Sequence, residues 1–144
     1  MMAQELEDKP IRSGVIPYYV EGDTVRVRVM KPSDPAYGGT DWQMAKGEME
    51  LGLDPEQNAL KEAHEEVGLK ASNIRQLTKL LYKSRLHVYA AEIIDPDDFD
   101  EPHWETGAVT WLSLPDDLDQ IRPWQRWMFQ VLYRRISAGG SQQA

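Results

Sequence analysis

Gly47-Glu-Met-Glu-Leu-Gly-Leu-Asp-Pro-Glu-Gln-Asn-Ala-Leu-Lys-Glu-Ala-His-Glu-Glu-Val-Gly-Leu69 is the stretch on which the reading of this 144-residue chain turns. Asp54-Pro55 starts a helix: Asp can accept the free N–H groups of the first turn, Pro has a helical φ already set, and Gln57 is placed to complete a capping box. Gly68, just past the last periodic residue, stops it, because glycine enters the left-handed region without a Cβ penalty. At roughly 100° per residue, Leu60, Ala63 and Val67 fall within about 60° of one another, while Glu62, Glu65 and Glu66 occupy an opposing arc of about 100°. One face is expected in the core, and the other carries three acids.

Those acids are badly placed for a bare helix. Glu62 and Glu66 are one turn apart, and like charges at that spacing destabilise by about 0.2–0.5 kcal/mol. All three also lie in the C-terminal half, where the macrodipole disfavours anions. A hard divalent cation offsets both effects, since Mg²⁺ takes a few carboxylates and completes its octahedron with water and phosphate oxygens. For an arbitrary Glu-x-x-Glu-Glu, a solvated acidic face would still be the better reading.

Outward from the helix, strand and helix signals interleave. Ser13 to Val20 and Thr24 to Met30 flank Glu21-Gly22-Asp23, and the second run alternates Val with Arg, which predicts a hairpin with one wet face. Lys31 to Asp41 is a loop, followed by the short apolar Trp42 to Ala45 and then Lys46-Gly47. Leu77 to Leu81, Leu86 to Ile94 and Ala108 to Leu114 suggest further strands, with an acidic loop over Asp95 to Glu101. Trp124 to Ile136 predicts a closing helix whose core stripe is Trp124, Trp127, Met128, Val131 and Leu132. The expected class is α/β (α+β), a central sheet covered by helices.

Length and composition bound the answer. The chain is one domain's worth, with residues 1–9 expected as a flexible lead-in, 10–137 as the domain and 138–144 as a flexible tail. Sixteen Lys and Arg against 24 Asp and Glu give a net charge of -8, which repels phosphate backbones and argues against duplex nucleic acid. With no Cys, thiol catalysis and thiolate zinc sites are excluded. The acidic start lacks a signal-peptide pattern and no apolar run approaches the roughly 18 residues of a membrane helix, so a cytoplasmic protein without membrane contact is expected.

The quoted stretch resembles the Nudix box, which carries a leading Gly, a Glu, and then R-E-U-x-E-E-x-G-U with U aliphatic. Gly47, Glu62, Ala63, Glu65, Glu66, Gly68 and Leu69 match in register, while Leu53 stands where the family has Glu and Lys61 where it has Arg. In the family those two side chains commonly pair and brace the loop against the helix, and their joint absence looks like a pair replaced together. The resemblance runs over most of residues 11–136. It includes the early Gly14-Val-Ile, Trp42 through Lys46-Gly47, and Glu105-Thr-Gly-Ala-Val-Thr-Trp-Leu112.

The resemblance implies a Nudix-type α/β/α sandwich with a mixed central sheet and the carboxylate helix facing the cleft. It implies a hydrolase dependent on Mg²⁺, with Mn²⁺ as the alternative, that cleaves a pyrophosphate bond in a nucleoside diphosphate derivative. Glu62, Glu65 and Glu66 carry over as metal ligands, and one of them, or a loop acid such as Glu105, as the base for water. The Lys46 carbonyl is a further ligand by position and its ammonium a phosphate contact, though an ordinary exposed lysine fits as well. Trp42 and Lys46-Gly47 resemble members that cleave dinucleoside polyphosphates, with nucleoside triphosphates, nucleotide sugars including ADP-ribose, and 5′-triphosphate or capped RNA ends as the alternatives. Arg26 could steer a phosphate, alongside Arg28 on the same strand face, and Trp104 or Tyr37 could stack on a base; solvated sheet and ordinary packing are the simpler readings. Lys61 can pair with Glu65. His64, His87 and His103 have no metal-ligand spacing. A non-catalytic nucleotide sensor with the same fold is the alternative, suggested by Leu53 and Lys61, and a small nucleotide is the expected partner in either case. Whether the chain is a monomer or a homodimer stays open.

Overall fold

The computed structural model describes residues 10–143, with side chains to residue 139. The expected lead-in over residues 1–9, and residue 144, lie outside the described residues. In chain order the elements are β1 (Arg12–Glu21), β2 (Thr24–Pro32), β3 (Ala45–Glu48), α1 (Pro55–Val67), β4 (Ile74–Lys83), β5 (Leu86–Ile93), β6 (Thr106–Leu114) and α2 (Arg126–Gln143). The strands form one mixed sheet in the order β4-β5-β1-β2-β6, with β3 added to β1. Among the described strands β1 and β5 pair in parallel and the other pairs are antiparallel.

β1 divides one of its edges between two partners. Arg12 to Val15 pair with β3, and Tyr18 to Glu21 pair with β2. The approach to β3 is close, since a Cβ at Gly14 would strike the Ala45 carbonyl oxygen and the Lys46 Cβ. That closeness places Lys46 and Gly47 against the sheet and leaves the chain after Glu48 free to loop into α1.

Alternation along the strands builds two cores. Ile16, Val25, Val27, Val29, Val88 and Leu112 face α2, where Met128, Phe129 and Leu132 cover them. Val15, Met30, Tyr89, Ala91 and Ile93 face α1, where Ala59, Ala63 and Val67 cover them. The α/β/α sandwich expected from the sequence is thus the observed architecture. At full burial each large aliphatic side chain contributes about 1.5–3 kcal/mol, so both helices are held chiefly by these faces.

Three local expectations are corrected. Trp124 and Trp127 are 45% and 38% exposed and do not belong to the core, which takes Phe129 and the buried Gln125 instead. The reason is a 3-10 turn over Pro123–Gln125, which delays α2 to Arg126 and rotates the tryptophans outward. The segment from 138, expected to be a tail, continues in α2 as far as Gln143. The arginine face of β2 is not wet: Arg28 lies 4.1 Å from the centre of the Phe99 ring and 5.4 Å from that of Trp111, and both Arg26 and Arg28 are half-buried.

α1 is capped as the sequence predicts. Asp54 accepts from the Gln57 N–H while Gln57 reaches back to the Asp54 N–H, and Gly68 closes the other end at φ 74°. A second buried face was not legible. Asn58 is fully buried and donates to Ser13 Oγ at 2.8 Å and to the Glu48 carbonyl at 3.2 Å, while accepting from the Glu50 N–H at 3.0 Å. One side chain therefore fixes helix, β1 and the loop that precedes the helix. Asn58→Ala should destabilise by about 1–3 kcal/mol, because it strands the buried Ser13 hydroxyl and the part-buried Glu50 N–H. Urea unfolding measures this, and an unchanged midpoint and slope would show that the clamp carries no stability.

Candidate active site

Asn58, Glu62 and Glu66 follow one another at four-residue spacing, so they form a row along α1 that leans on β3 rather than on solvent. The helix thus has two buried sides, an apolar one on the sheet and a polar one under β3. Glu62 and Glu66 are both half-buried, and the Glu66 carboxyl donates a hydrogen bond to the Glu62 carboxylate while accepting one from the Lys46 N–H. Burial, and then the Glu62 anion, push Glu66 up to about 9, with the Lys46 ammonium and N–H opposing. Burial also raises Glu62. Gly47 makes the arrangement sterically feasible, since a Cβ there would overlap the Glu62 carboxylate.

Glu65 is handled differently. Lys61 Nζ lies 2.6 Å from Glu65 Oε1 and 3.2 Å from Glu50 Oε1, and these two bonds raise the Lys61 ammonium above its ordinary value. Lys61 therefore joins the loop to the helix through Glu50. Leu53, which occupies the other departing position, is half-buried and closes a turn with its N–H on the Glu50 carbonyl. The loop-to-helix brace persists with an acid three residues earlier than the box would place it.

The far end of α1 is held from both sides. Arg28 Nε donates to the Val67 carbonyl at 3.0 Å, its guanidinium kept below its usual value by burial. Phe99 and Trp111 wall this cation in, and Phe99 and Tyr19 each meet Trp111 edge-on, at 5.6 and 4.9 Å. The turn over 103–106 closes on the same end, with the His103 N–H on the Glu65 carbonyl at 2.7 Å and the Thr106 hydroxyl on the Glu66 carbonyl at 2.9 Å. Glu105 rides on that turn, exposed, its own carbonyl accepting from the Ser33 N–H at 2.8 Å. Trp104 sits in the same turn at 84% exposure.

Lys46 is half-buried beside the acids. Burial lowers its ammonium from the ordinary value, as do Arg12 and Arg122, while Glu66 and Glu62 act in the opposite sense. Its Nζ lies 5.8 Å from the centre of the Trp124 ring. The structure thus brings together Glu62, Glu65, Glu66, Lys46 and Gly47, with Glu105 on an adjoining turn. It does not bring in Arg26, whose guanidinium donates to Ser113 Oγ at 3.1 Å on the far strand β6. Arg12 and Arg122, which sequence reasoning passed over, and Trp124, which it placed in the core, stand beside Lys46 instead.

Among the described residues no three carboxylates or imidazoles are set to hold a metal ion. The reason is visible: Glu62 and Glu66 are bonded to each other, and Glu65 is turned to Lys61. The donor set nonetheless fits a hard divalent cation. It is all oxygen, and the proton held between Glu62 and Glu66 occupies the place of a positive charge that a cation would supply.

A Glu66 pKa raised from 4.5 to about 9 has a definite consequence for stability. The folded, metal-free protein keeps a proton that the unfolded chain releases, so this group's contribution is full below pH 4.5 and is lost as pH rises toward 9. In chelator, the melting temperature should fall across that window, and Glu66→Gln should flatten the slope. A variant as pH-dependent as the parent would show that Glu66 does not hold the proton.

The family profile of the NUDIX domain matches residues 11–133. No match is found among curated protein sequences. Among solved structures, the chain is similar to an Ap4A hydrolase from C. elegans in a binary complex, at 16% identity and a TM-score of 0.72, over 90% of this chain and 99% of that one. It is similar to the Nudix hydrolase RenU from M. smegmatis, at 17% identity and a TM-score of 0.65, over 92% and 86% of the two chains. It is also similar to the NUDIX domain of Shewanella oneidensis NrtR complexed with ADP ribose, at 13% identity and a TM-score of 0.66, over 96% and 99%. At these identities the structural likeness is one of fold, whereas the profile spans most of the chain and takes in the helix that carries the acids. The chain belongs to the NUDIX family of pyrophosphohydrolases.

Proposed function

We propose that this protein is a Mg²⁺-dependent hydrolase that cleaves a pyrophosphate bond in a nucleoside diphosphate derivative, with dinucleoside polyphosphates as the favoured class. The observation that carries the reading is the half-buried Glu62 and Glu66 pair, one helical turn apart, bonded to each other and packed against Gly47 and the Lys46 N–H. Two ionised carboxylates pressed together repel each other, whereas a cation offsets both charges.

Glu62, Glu65 and Glu66 would hold the cation, with the Lys46 carbonyl as a further ligand by position. When bound, the cation supplies charge neutralisation for the pyrophosphate and acidifies water. The protein's own groups supply the rest. The Lys46 ammonium, held among Arg12, Arg122 and the glutamates, meets a phosphate oxygen. Water oxygen forms the new bond to phosphorus as the bridging oxygen leaves with one phosphate, and the water proton passes to a carboxylate. The base is one of the three helix acids or Glu105. Lys61 keeps Glu65 oriented until the cation competes for it.

Support for the dinucleoside class comes from Lys46-Gly47 ahead of the helix and from the fold shared with an Ap4A hydrolase. The second reading, a nucleotide sensor that does not cleave, is favoured by the Lys61 bond that turns Glu65 aside. At net charge -8, either form should reject a polyphosphate until cations neutralise the site, so nucleotide and Mg²⁺ must favour each other's binding.

A panel of nucleoside diphosphate derivatives, incubated with Mg²⁺ and with chelator and resolved by phosphate count, separates the two. Turnover with Mg²⁺ and none in chelator is expected; tight binding without product would select the sensor. Gly47→Ala offers an independent check, because the flexible Glu62 side chain can yield without unfolding the protein. The melting temperature should stay near that of the parent while Mg²⁺ affinity falls about 10- to 100-fold. Calorimetric Mg²⁺ binding equal to the parent's would remove Glu62 from the metal site.

A further inference from the structure

The two tryptophans that leave the core stand at the mouth of a cavity of about 420 Å³, lined by Arg12, Lys83, Ser84, Arg85, Trp124 and Trp127 among others. Among the described residues no carboxylate lines it, in a chain whose net charge is -8. Lys83 Nζ lies 5.5 Å from the centre of the Trp127 ring, and the Arg122 guanidinium 5.7 Å from that of Trp124. Lys46, also on the Trp124 ring, links this mouth to Glu62 and Glu66. A basic and aromatic track therefore runs from the acids to the cavity without a break.

Two independent features show that the mouth is built rather than incidental. The segment 120–125 is stitched to the residues that lead into β3: Trp42 N–H donates to the Gln120 carbonyl, Arg122 N–H to the Trp42 carbonyl at 2.8 Å, and Met44 N–H to the buried Gln125 Oε1 at 2.9 Å. Across the cavity, the β4–β5 turn holds Ser84 at φ 53° and Arg85 at φ 63°, two consecutive left-handed residues with no glycine. Such a turn prefers Asn-Gly, so the strain is tolerated where the turn forms the cavity wall. The Arg12 N–H donates to the Arg85 carbonyl at 2.8 Å and fixes the turn to β1. A larger cavity of about 1080 Å³ lies toward the C-terminal half of α2, and its lining holds none of Arg12, Lys83, Trp124 or Trp127.

We infer that the smaller cavity seats a nucleobase against Trp124 and Trp127, as the second nucleoside end of a dinucleoside polyphosphate whose reacting pyrophosphate lies at the glutamates. The intervening phosphates run over Lys83, Arg12 and Lys46. This rests on the hydrolase reading above and adds to it the direction in which the substrate lies. Stacking on indole tolerates any base and gains from the neighbouring cations, so the cavity selects for a second nucleoside and its phosphate rather than for one particular base.

The test uses the full chain, Mg²⁺, a methylene-bridged dinucleoside tetraphosphate, and inorganic tripolyphosphate as the phosphate-only probe. Trp124→Ala and Trp127→Ala, both at exposed positions, should weaken dinucleotide binding about tenfold or more and leave tripolyphosphate binding unchanged. Lys83→Ala should weaken both probes, and Trp127→Phe should recover most of the dinucleotide affinity. With the hydrolysable substrate, the tryptophan variants should raise KM and keep kcat. Parent-like KM in both, with turnover intact, overturns the inference and leaves the hydrolase reading standing. Tryptophan-dependent binding with no turnover in the parent supports the cavity and ends the hydrolase reading. Turnover confined to 5′-triphosphate RNA would overturn the small dinucleotide as occupant.

Discussion

Helix α1 has to be buried on two sides at once, and the rest of the molecule is arranged around that constraint. Ala59, Ala63 and Val67 press on the sheet, while Asn58, Glu62 and Glu66 lie under β3. A helix held on one face could roll to carry its acids into water. Held on two faces, it keeps Glu62 and Glu66 close enough to share a proton, although neither the spacing nor the dipole favours them there. The division of one β1 edge between β2 and β3 provides the second wall, and Gly14 lets that wall come close.

Small residues and one amide set the geometry of the acids. Gly47 leaves the volume that the Glu62 carboxylate fills, Asn58 fixes the loop after β3, and Lys61 ties the same loop to Glu65 through Glu50. Leu53 and Lys61 depart from the box without removing the brace between loop and helix; its acid has moved along the loop. The same economy appears on the other side of β3. There the turn that misplaces the α2 tryptophans relative to an ideal helix also brings Trp124 to Lys46.

Local chemistry was readable and contact at a distance was not. The caps of α1, the hairpin at Gly22, the strand runs and the acid triplet are set by residues within a few positions of each other, and the structure returns them. Asn58 looked like an ordinary helical residue because its partners, Ser13 among them, arrive by strand pairing 45 residues away. Arg26 and Arg28 alternate with valine as a solvated face would, and nothing in that alternation reveals that Phe99 and Trp111 cover Arg28. Periodicity gave α2 an apolar stripe, but a two-residue delay in its start changes which residues face inward, so Phe129 replaced Trp124 and Trp127. Of the expected site, the glutamates, Lys46 and Gly47 meet; Arg26 stands apart on β2, bonded to Ser113 of β6.

Arg28 gives this architecture a property of a different kind. Its guanidinium meets the Val67 carbonyl from beneath Phe99 and Trp111, so the positive charge that offsets the C-terminal dipole of α1 is shielded from the surrounding electrolyte. Ions in solution screen exposed pairs within about 8–10 Å at ordinary ionic strength, but reach buried ones far less. The exposed Lys61 bonds weaken as salt rises, whereas the anchor at the other end of the helix does not. The helix end nearest Glu66 therefore holds its place in brine as in dilute buffer, and salt acts on the ligand's charges before it acts on the scaffold that receives them.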